Sequence, residues 1–289
     1  MKSGNILTPT EKALANIEAM RAKVAAILQK ARDGFTLDAL EQHTLRAALL
    51  ISYHDSGKIE GIFSVDSSTR CAFCQLMRAA AQCNPLMICR YCYADNAAKY
   101  KHVPAARHEL NALILSEYLF SVEELEKLDL SGTIRFNSDG DIVNATMARN
   151  YIRIRIANPA ARYTLWYKNA KAVEEALNAE GIHRKEDIPA GLIFIKSSPV
   201  IGTPAAPDWF THRVFTVYPD AASTDEAATA GSWRCLKKCK DCGRHCYSEP
   251  NPETVEYIAE ELKGISKKDR AAILNAWKAA QEKKGAITT

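Results

Sequence analysis

Thr133-Ile134-Arg135-Phe136-Asn137-Ser138-Asp139-Gly140-Asp141 joins a short apolar strand to a polar turn, and a helical pattern follows from about Val143 to Ala157. A strand that empties into a polar loop and returns through a helix is the repeating unit of parallel sheets. The chain downstream repeats that unit. Tyr163-Thr164-Leu165-Trp166-Tyr167-Lys168 leads to a helix from Lys171 to Ala179, and Gly191-Leu192-Ile193-Phe194-Ile195-Lys196 leads to a Pro-rich loop from Pro199 to Pro207. Arg213-Val214-Phe215-Thr216-Val217-Tyr218 comes last. Upstream, Gly57 and Gly61 flank the strand Ile62-Phe63-Ser64-Val65, which a helix from about Ala105 to Phe120 and a charged piece, Val122 to Leu130, separate from Thr133. Five such strands predict an α/β fold, as a partial (β/α) barrel or an open parallel sheet, and are too few for a closed eight-stranded barrel.

The flanks read differently, so residues 55–230 form the predicted α/β core between a helical extension, 1–54, and a Cys-rich region with helices, 231–289. In the extension, Leu14, Ile17, Val24, Ile27 and Leu28 recur at helical intervals over residues 10–32, with Thr10 as the predicted cap and Gly34 as the stop. A second helix runs from about Leu37 to Leu50, and the pair reads as a brace against the core. Near the C-terminus the pattern predicts helices from Pro252 to Leu262, capped by Asn251, and from Lys268 to Lys283.

With 289 residues and 47% hydrophobic content the chain can bury a sizeable core, and its net charge of +4 is too mild to demand nucleic acid as a partner, although nucleic acid stays open. Met1 to Thr10 has no apolar core, and no run of about 18 apolar residues occurs, which points to the cytoplasm and away from the membrane. Nine cysteines in a reducing compartment read as metal ligands rather than a disulfide framework. Gly-x-Ser-x-Gly and Walker-type motifs are both absent.

Sites on parallel sheets form where the strands end at their C-terminal edge. Here those ends carry Asp66, then Asn137, Asp139 and Asp141, then Lys168 and Asn169, then Lys196, Ser197 and Ser198, then Tyr218. Lys168 and Lys196 are the candidate catalytic groups on that ground. Arg149, Arg153 and Arg155 give the helix after Asp141 a basic face, read either as solvated or as a contact for a phosphorylated or nucleic-acid substrate.

Cys71-Ala-Phe-Cys74 and Cys83-Asn-Pro-Leu-Met-Ile-Cys89-Arg-Tyr-Cys92-Tyr-Ala follow the first strand. Thiolates at this density read as a metal-cluster loop, and small buried hydrophobes are the plain alternative. A second group, Cys235-x3-Cys239-x2-Cys242-x3-Cys246, lies after Gly231, with Lys237, Lys238, Lys240 and Arg244 to offset thiolate charge and His245 as a further candidate ligand. Its four thiols suit an iron-sulfur cluster or a structural zinc.

Cys83-x5-Cys89-x2-Cys92 with Tyr91 before the last thiol resembles the cluster loop of the radical S-adenosylmethionine (SAM) superfamily, widened by two residues in the first gap. The resemblance implies a [4Fe-4S] cluster on Cys83, Cys89 and Cys92 whose fourth iron is open to SAM, with an electron donor such as flavodoxin or ferredoxin. It also implies that Asn137, Ser138, Asp139, Gly140 and Asp141 bind SAM, since the superfamily carries a Gly-Gly-Glu-like segment at this place. The plain alternative is a turn, with Asp141 capping the next helix. More narrowly, residues 55–250 resemble a phage and plasmid family, gene product eighty-eight, which brings an architecture and no reaction. The expected function is reductive cleavage of SAM on an unidentified substrate, such as a nucleotide, nucleic acid or peptide, with Cys235, Cys239, Cys242 and Cys246 holding a second [4Fe-4S] cluster or zinc. The alternative is a non-catalytic zinc-binding module that contacts nucleic acid or protein, its metal on Cys71, Cys74, Cys89 and Cys92.

Overall fold

Side chains along a strand point alternately to the two faces of its sheet, and here the two faces are covered by different things. The computed structural model describes residues 8–68, 72–82, 84–235, 238–242 and 246–287, so Cys71, Cys83, Lys237, Arg244 and His245 lie outside the described residues. In chain order the elements are α1 (Pro9–Arg32), α2 (Ala39–Ala48), β1 (Ser52–Tyr53), β2 (Phe63–Val65), α3 (Ala72–Ala81), α4 (Tyr93–Ala98), α5 (His102–Glu117) and α6 (Val122–Glu126). There follow β3 (Thr133–Phe136), α7 (Ala145–Ala157), β4 (Arg162–Tyr167), α8 (Ala170–Ala179), β5 (Leu192–Ser197) and β6 (Arg213–Tyr218). α9 (Ala221–Thr229), β7 (Trp233–Arg234), β8 (Glu256–Glu261) and α10 (Lys267–Ile287) complete the chain.

The sheet is open and mostly parallel, in the order β1-β2-β3-β4-β5-β6-β8-β7, and only β1 pairs antiparallel. One face carries Ile134 and Phe136 of β3, Tyr163, Leu165 and Tyr167 of β4, and Leu192 and Phe194 of β5, all in one core with α5, α7 and α8. Val24, Ile27 and Leu28 of α1 and Leu45 of α2 join the same core, so the N-terminal helices brace the sheet unit from outside. The alternate residues Trp166, Ile193, Ile195 and Phe215 face the other way and pack with Cys246. No helix among the described residues is long and apolar enough to cross a membrane.

Several expectations are corrected. The first helix is capped two residues earlier, because Thr8 and Glu11 form a reciprocal capping box with Pro9 in the first turn, and Thr10 lies inside the helix. The early cysteine stretch is not a loop throughout: α3 runs through Cys74 and a 3-10 turn spans Ile88–Tyr91. The helix expected over Pro252 to Leu262 is a turn followed by β8, whose residues 256–261 pair in parallel with 213–218. Asn251 Oδ1 accepts the Glu253 N–H at 2.9 Å, which is turn chemistry rather than a helix cap. Glu and Ala favour helix, but pairing beside β6 and burial of Ile258 and Ala259 override that preference. β8 adds a sixth parallel neighbour to the row β2 to β6, and β7 and β1 fill the edges.

His212 links β5 to β6 at the foot of the sheet. Its backbone N–H donates to the Phe194 carbonyl at 3.0 Å, its ring Nδ1 accepts the Phe194 N–H at 3.1 Å, and its carbonyl accepts the Glu256 N–H at 3.1 Å. Burial, with Lys185 and Arg213 nearby, pushes its pKa down to about 4 from 6.5. The unfolded chain therefore takes up a proton below pH 6.5 that the folded chain refuses, so stability present above 6.5 is lost as the pH falls toward 4. The unfolding free energy from urea titrations should drop over that window, by on the order of 3 kcal/mol at most from this residue. In His212→Asn the drop should shrink, and equal slopes in both proteins would refute the assignment.

Candidate functional site

The C-terminal ends of β2, β3 and β4 are knitted into one polar network. Asn137 adopts a left-handed φ of 60° and turns the chain sharply out of β3. Its buried side chain is fully engaged: Oδ1 lies 2.9 Å from Ser67 Oγ and 3.1 Å from the Tyr151 hydroxyl, and Nδ2 donates to the Trp166 carbonyl at 3.3 Å. Asp66, also buried, accepts from Ser64 Oγ, Ser138 Oγ and the Asp139 N–H. His108 sits between Asp66 and Asp139, 3.8 Å from a carboxylate oxygen of each. Burial and the Asp66 charge hold the Asp139 carboxyl above the usual range, and His108 pulls it back in part.

Gly140 is where sequence and geometry fit most closely. Its φ is +94°, and a Cβ there would lie 2.3 Å from both the carbonyl and the hydroxyl oxygen of Ser67. Asp141 follows, buried, accepting the Ile142 N–H at 2.7 Å and the Lys168 N–H at 3.1 Å. Asn144, not Asp141, caps α7. Burial raises the Asp141 pKa, against the pull of Lys168, whose Nζ is 3.9 Å away.

The early cysteine segment lies over these strand ends. The Tyr93 hydroxyl donates to the Ser138 carbonyl, and on the other side Ile88 N–H donates to the Pro199 carbonyl at 2.9 Å and Ile201 N–H to the Leu86 carbonyl at 2.7 Å. The Pro-rich loop after β5 is thus half of a small pairing that holds the segment down. Lys168 is its electrostatic centre: burial alone would lower its pKa, but Asp141 and the thiols of Cys89, Cys74 and Cys92 raise it more. Burial pushes the Cys89 thiol up and Lys168 draws it down. A cleft of about 270 Å³ opens at Cys89 between Arg78, Gln82, Arg90 and Asp95.

The late cysteines cross the other face of the sheet. Cys235 N–H donates to the Ala259 carbonyl at 2.8 Å, Cys239 N–H to the Lys58 carbonyl at 2.7 Å, and Cys246 packs among Trp166, Ile193, Ile195 and Phe215. Arg213, wholly buried, pairs with Glu256 at 2.6 Å and donates to the Cys246 carbonyl at 2.8 Å and the Ser248 carbonyl at 3.0 Å. Lys58 reaches both Glu260 and the Cys235 thiol. Cys235, Cys239 and Cys246 lie within one another's electrostatic reach, as do Cys239 and Cys242, and burial pushes Cys246 up to about 12.

Among the described residues no three His, Cys, Asp or Glu side chains already form a metal-binding group. The donor set nevertheless fits a thiophilic metal or cluster in its chemistry, with half-buried sulfurs and a cation beside each group of thiols to balance thiolate charge.

Of the predicted residues, Lys168 joins Cys89, Cys92 and Asp141, whereas Lys196 turns to the helix-covered side, where Nζ donates to the Ala206 carbonyl at 2.9 Å and pairs with Asp208. The basic face of α7 is committed internally: Arg149 and Arg153 both pair with Glu180, and Arg155 Nε donates to the Ala190 carbonyl at 2.6 Å. Of the expected counter-cations, Lys238 pairs instead with Glu60 at 2.8 Å. Sequence reasoning gave no role to Ser67, Tyr93, Arg135 and Tyr247, which adjoin strands or cysteines already singled out, nor to His108 and Lys58, which come from other parts of the chain. Comparison of the chain with protein-family profiles, curated proteins and solved structures returns no match.

Gly140→Ala should cost about 2 kcal/mol or more, since it adds left-handed strain to a backbone clash, and a denaturant midpoint equal to that of the parent would contradict this. Lys168→Met should raise the Cys89 pKa and slow its alkylation at pH 8 by about threefold or more, read peptide by peptide by mass spectrometry; an unchanged rate would break the electrostatic link.

Proposed function

We propose that the chain is an iron-sulfur enzyme of the radical-SAM kind, with Cys83, Cys89 and Cys92 as ligands of a [4Fe-4S] cluster that cleaves SAM reductively. The observation that carries the reading is the position of Cys89 and Cys92 over the C-terminal strand ends, against the Asn137–Asp141 turn and beside Lys168. When bound, such a cluster supplies an iron with a free coordination position and an electron for SAM. The protein's part is electrostatic and steric. Lys168 balances thiolate charge, and the buried Asp141 carboxylate holds the Lys168 backbone in place. Gly140 lets the turn approach Ser67 closely enough to keep the strand ends in register. Asn137, Ser138, Asp139 and Asp141 are the residues assigned to SAM, Asn137 by shaping the turn and the others by polar contact. The late thiols, Cys235, Cys239, Cys242 and Cys246, would hold a second cluster or zinc, and the substrate would sit between the two groups. A flavodoxin or ferredoxin is the expected electron donor.

One observation favours the zinc alternative: Cys74 shares the surroundings of Lys168 with Cys89 and Cys92. In that reading Cys71, Cys74, Cys89 and Cys92 close a tetrahedral site and leave no open position.

Anaerobic reconstitution with iron and sulfide, followed by assay for 5′-deoxyadenosine under strong reductant, separates the two. Iron uptake with SAM cleavage, lost in Cys89→Ser, is expected. Stoichiometric zinc with neither iron uptake nor cleavage would overturn the enzyme reading.

A further inference from the structure

Near the late cysteines, two strong hydrogen-bond donors are buried: Arg135 Nε, with no partner among the described residues, and the Tyr247 hydroxyl, whose partner is the weakly accepting sulfur of Cys239. Leaving such a donor unmade costs about 1–3 kcal/mol, and more for a charged group. A third such atom, Arg234 Nε, belongs to a guanidinium already paired with Asp225. Arg135 is also held rigidly, with its guanidinium 3.9 Å from the centroid of the Trp166 ring. Two carboxylates lie within its electrostatic reach: Asp66, already engaged by Ser64, Ser138 and the Asp139 N–H, and Asp139, which faces His108.

The two donors share one neighbour. Arg135 and the Cys239 sulfur lie within electrostatic reach of each other, and the Tyr247 hydroxyl lies beside the same sulfur. A thiol is a weak acceptor, whereas a metal-bound thiolate carries negative charge and accepts strongly. Neither donor atom reaches solvent, so an acceptor arriving with bulk water does not answer them. The other cations at this stretch are already served, Lys58 by Glu260 and Cys235, Arg213 by Glu256 and two carbonyls.

We infer that Arg135 and Tyr247 are positioning residues for a metal-thiolate group at the late cysteines, donating N–H···S and O–H···S hydrogen bonds to Cys239 once its sulfur is a metal-bound thiolate. This rests on the metal-thiolate reading of that stretch and not on SAM chemistry. Partners of this kind orient a ligand and balance its charge, and their loss typically lowers metal affinity about 10–100-fold.

The test uses the full-length chain carrying Cys71→Ser, Cys74→Ser, Cys83→Ser, Cys89→Ser and Cys92→Ser, so that the late cysteines are the only thiols left to bind metal. Co²⁺ is titrated under argon and followed by its thiolate charge-transfer absorption, with Zn²⁺ displacement to fix affinities. In this background Arg135→Gln and Tyr247→Phe should each weaken Co²⁺ binding about tenfold or more, and Arg135→Lys should recover only part of that loss, since it restores charge without the planar donor. Affinities within twofold of the parent in both Arg135→Gln and Tyr247→Phe overturn the inference. A parent that gives no thiolate–cobalt band overturns the metal-thiolate reading and this inference together. Circular dichroism of the metal-free variants checks folding; should Arg135→Gln fail to fold, Tyr247→Phe, which changes one oxygen, decides.

Discussion

Strands of a parallel sheet present apolar side chains on both faces, so both must be covered. In this chain β4 shows the division: Tyr163, Leu165 and Tyr167 lie under α7 and α8, while Trp166 meets Cys246 and Phe215 on the other face. Helices cover the first face and the late cysteine stretch covers part of the second. That stretch is a structural layer as well as a candidate ligand set, which explains why it is tied down so firmly. Arg213 fastens its end through the Cys246 and Ser248 carbonyls, and Lys58 fastens its middle through the Cys239 N–H.

The two groups of thiols are treated alike electrostatically. Burial makes each thiolate costly, and a cation from another element offsets that cost: Lys168 at the end of β4 for Cys89, and Lys58 from the turn before β2 for Cys235. Neither cation lies in the cysteine stretch it serves. The lysines nearest the late thiols in sequence looked like the natural counter-charges, but Lys238 pairs with Glu60 and helps dock the stretch on that turn.

Legibility followed from whether the signal was local. β3, β4, β5 and β6 are short apolar runs bounded by polar turns, and each formed within a residue or two of its expected place. Gly140 was legible as a turn residue, yet the reason only glycine fits, the carbonyl of Ser67, comes from another strand end. β8 was misread because Glu256–Glu261 has the composition of a helix and becomes a strand only beside β6. Gly202 makes the same point at a loop: a Cβ there would lie 2.1 Å from Trp277 Nε1 of α10, a contact with no trace in local sequence. Lys196 was picked because a strand ends there, and alternation of one residue turns it to the helix side with Asp208.

β3 gives the two thiol groups a common reference. Arg135 lies on β3, and Asn137, just past its end, turns the chain out of the strand. Arg135 stands beside Cys239 of the late stretch, and Asn137 opens the turn whose Ser138 carbonyl accepts from Tyr93 in the early segment. Trp166 on β4 touches both, stacking on the Arg135 guanidinium and accepting from Asn137 Nδ2 through its carbonyl. The parallel pairing of β3 with β4 thus links the surroundings of both groups.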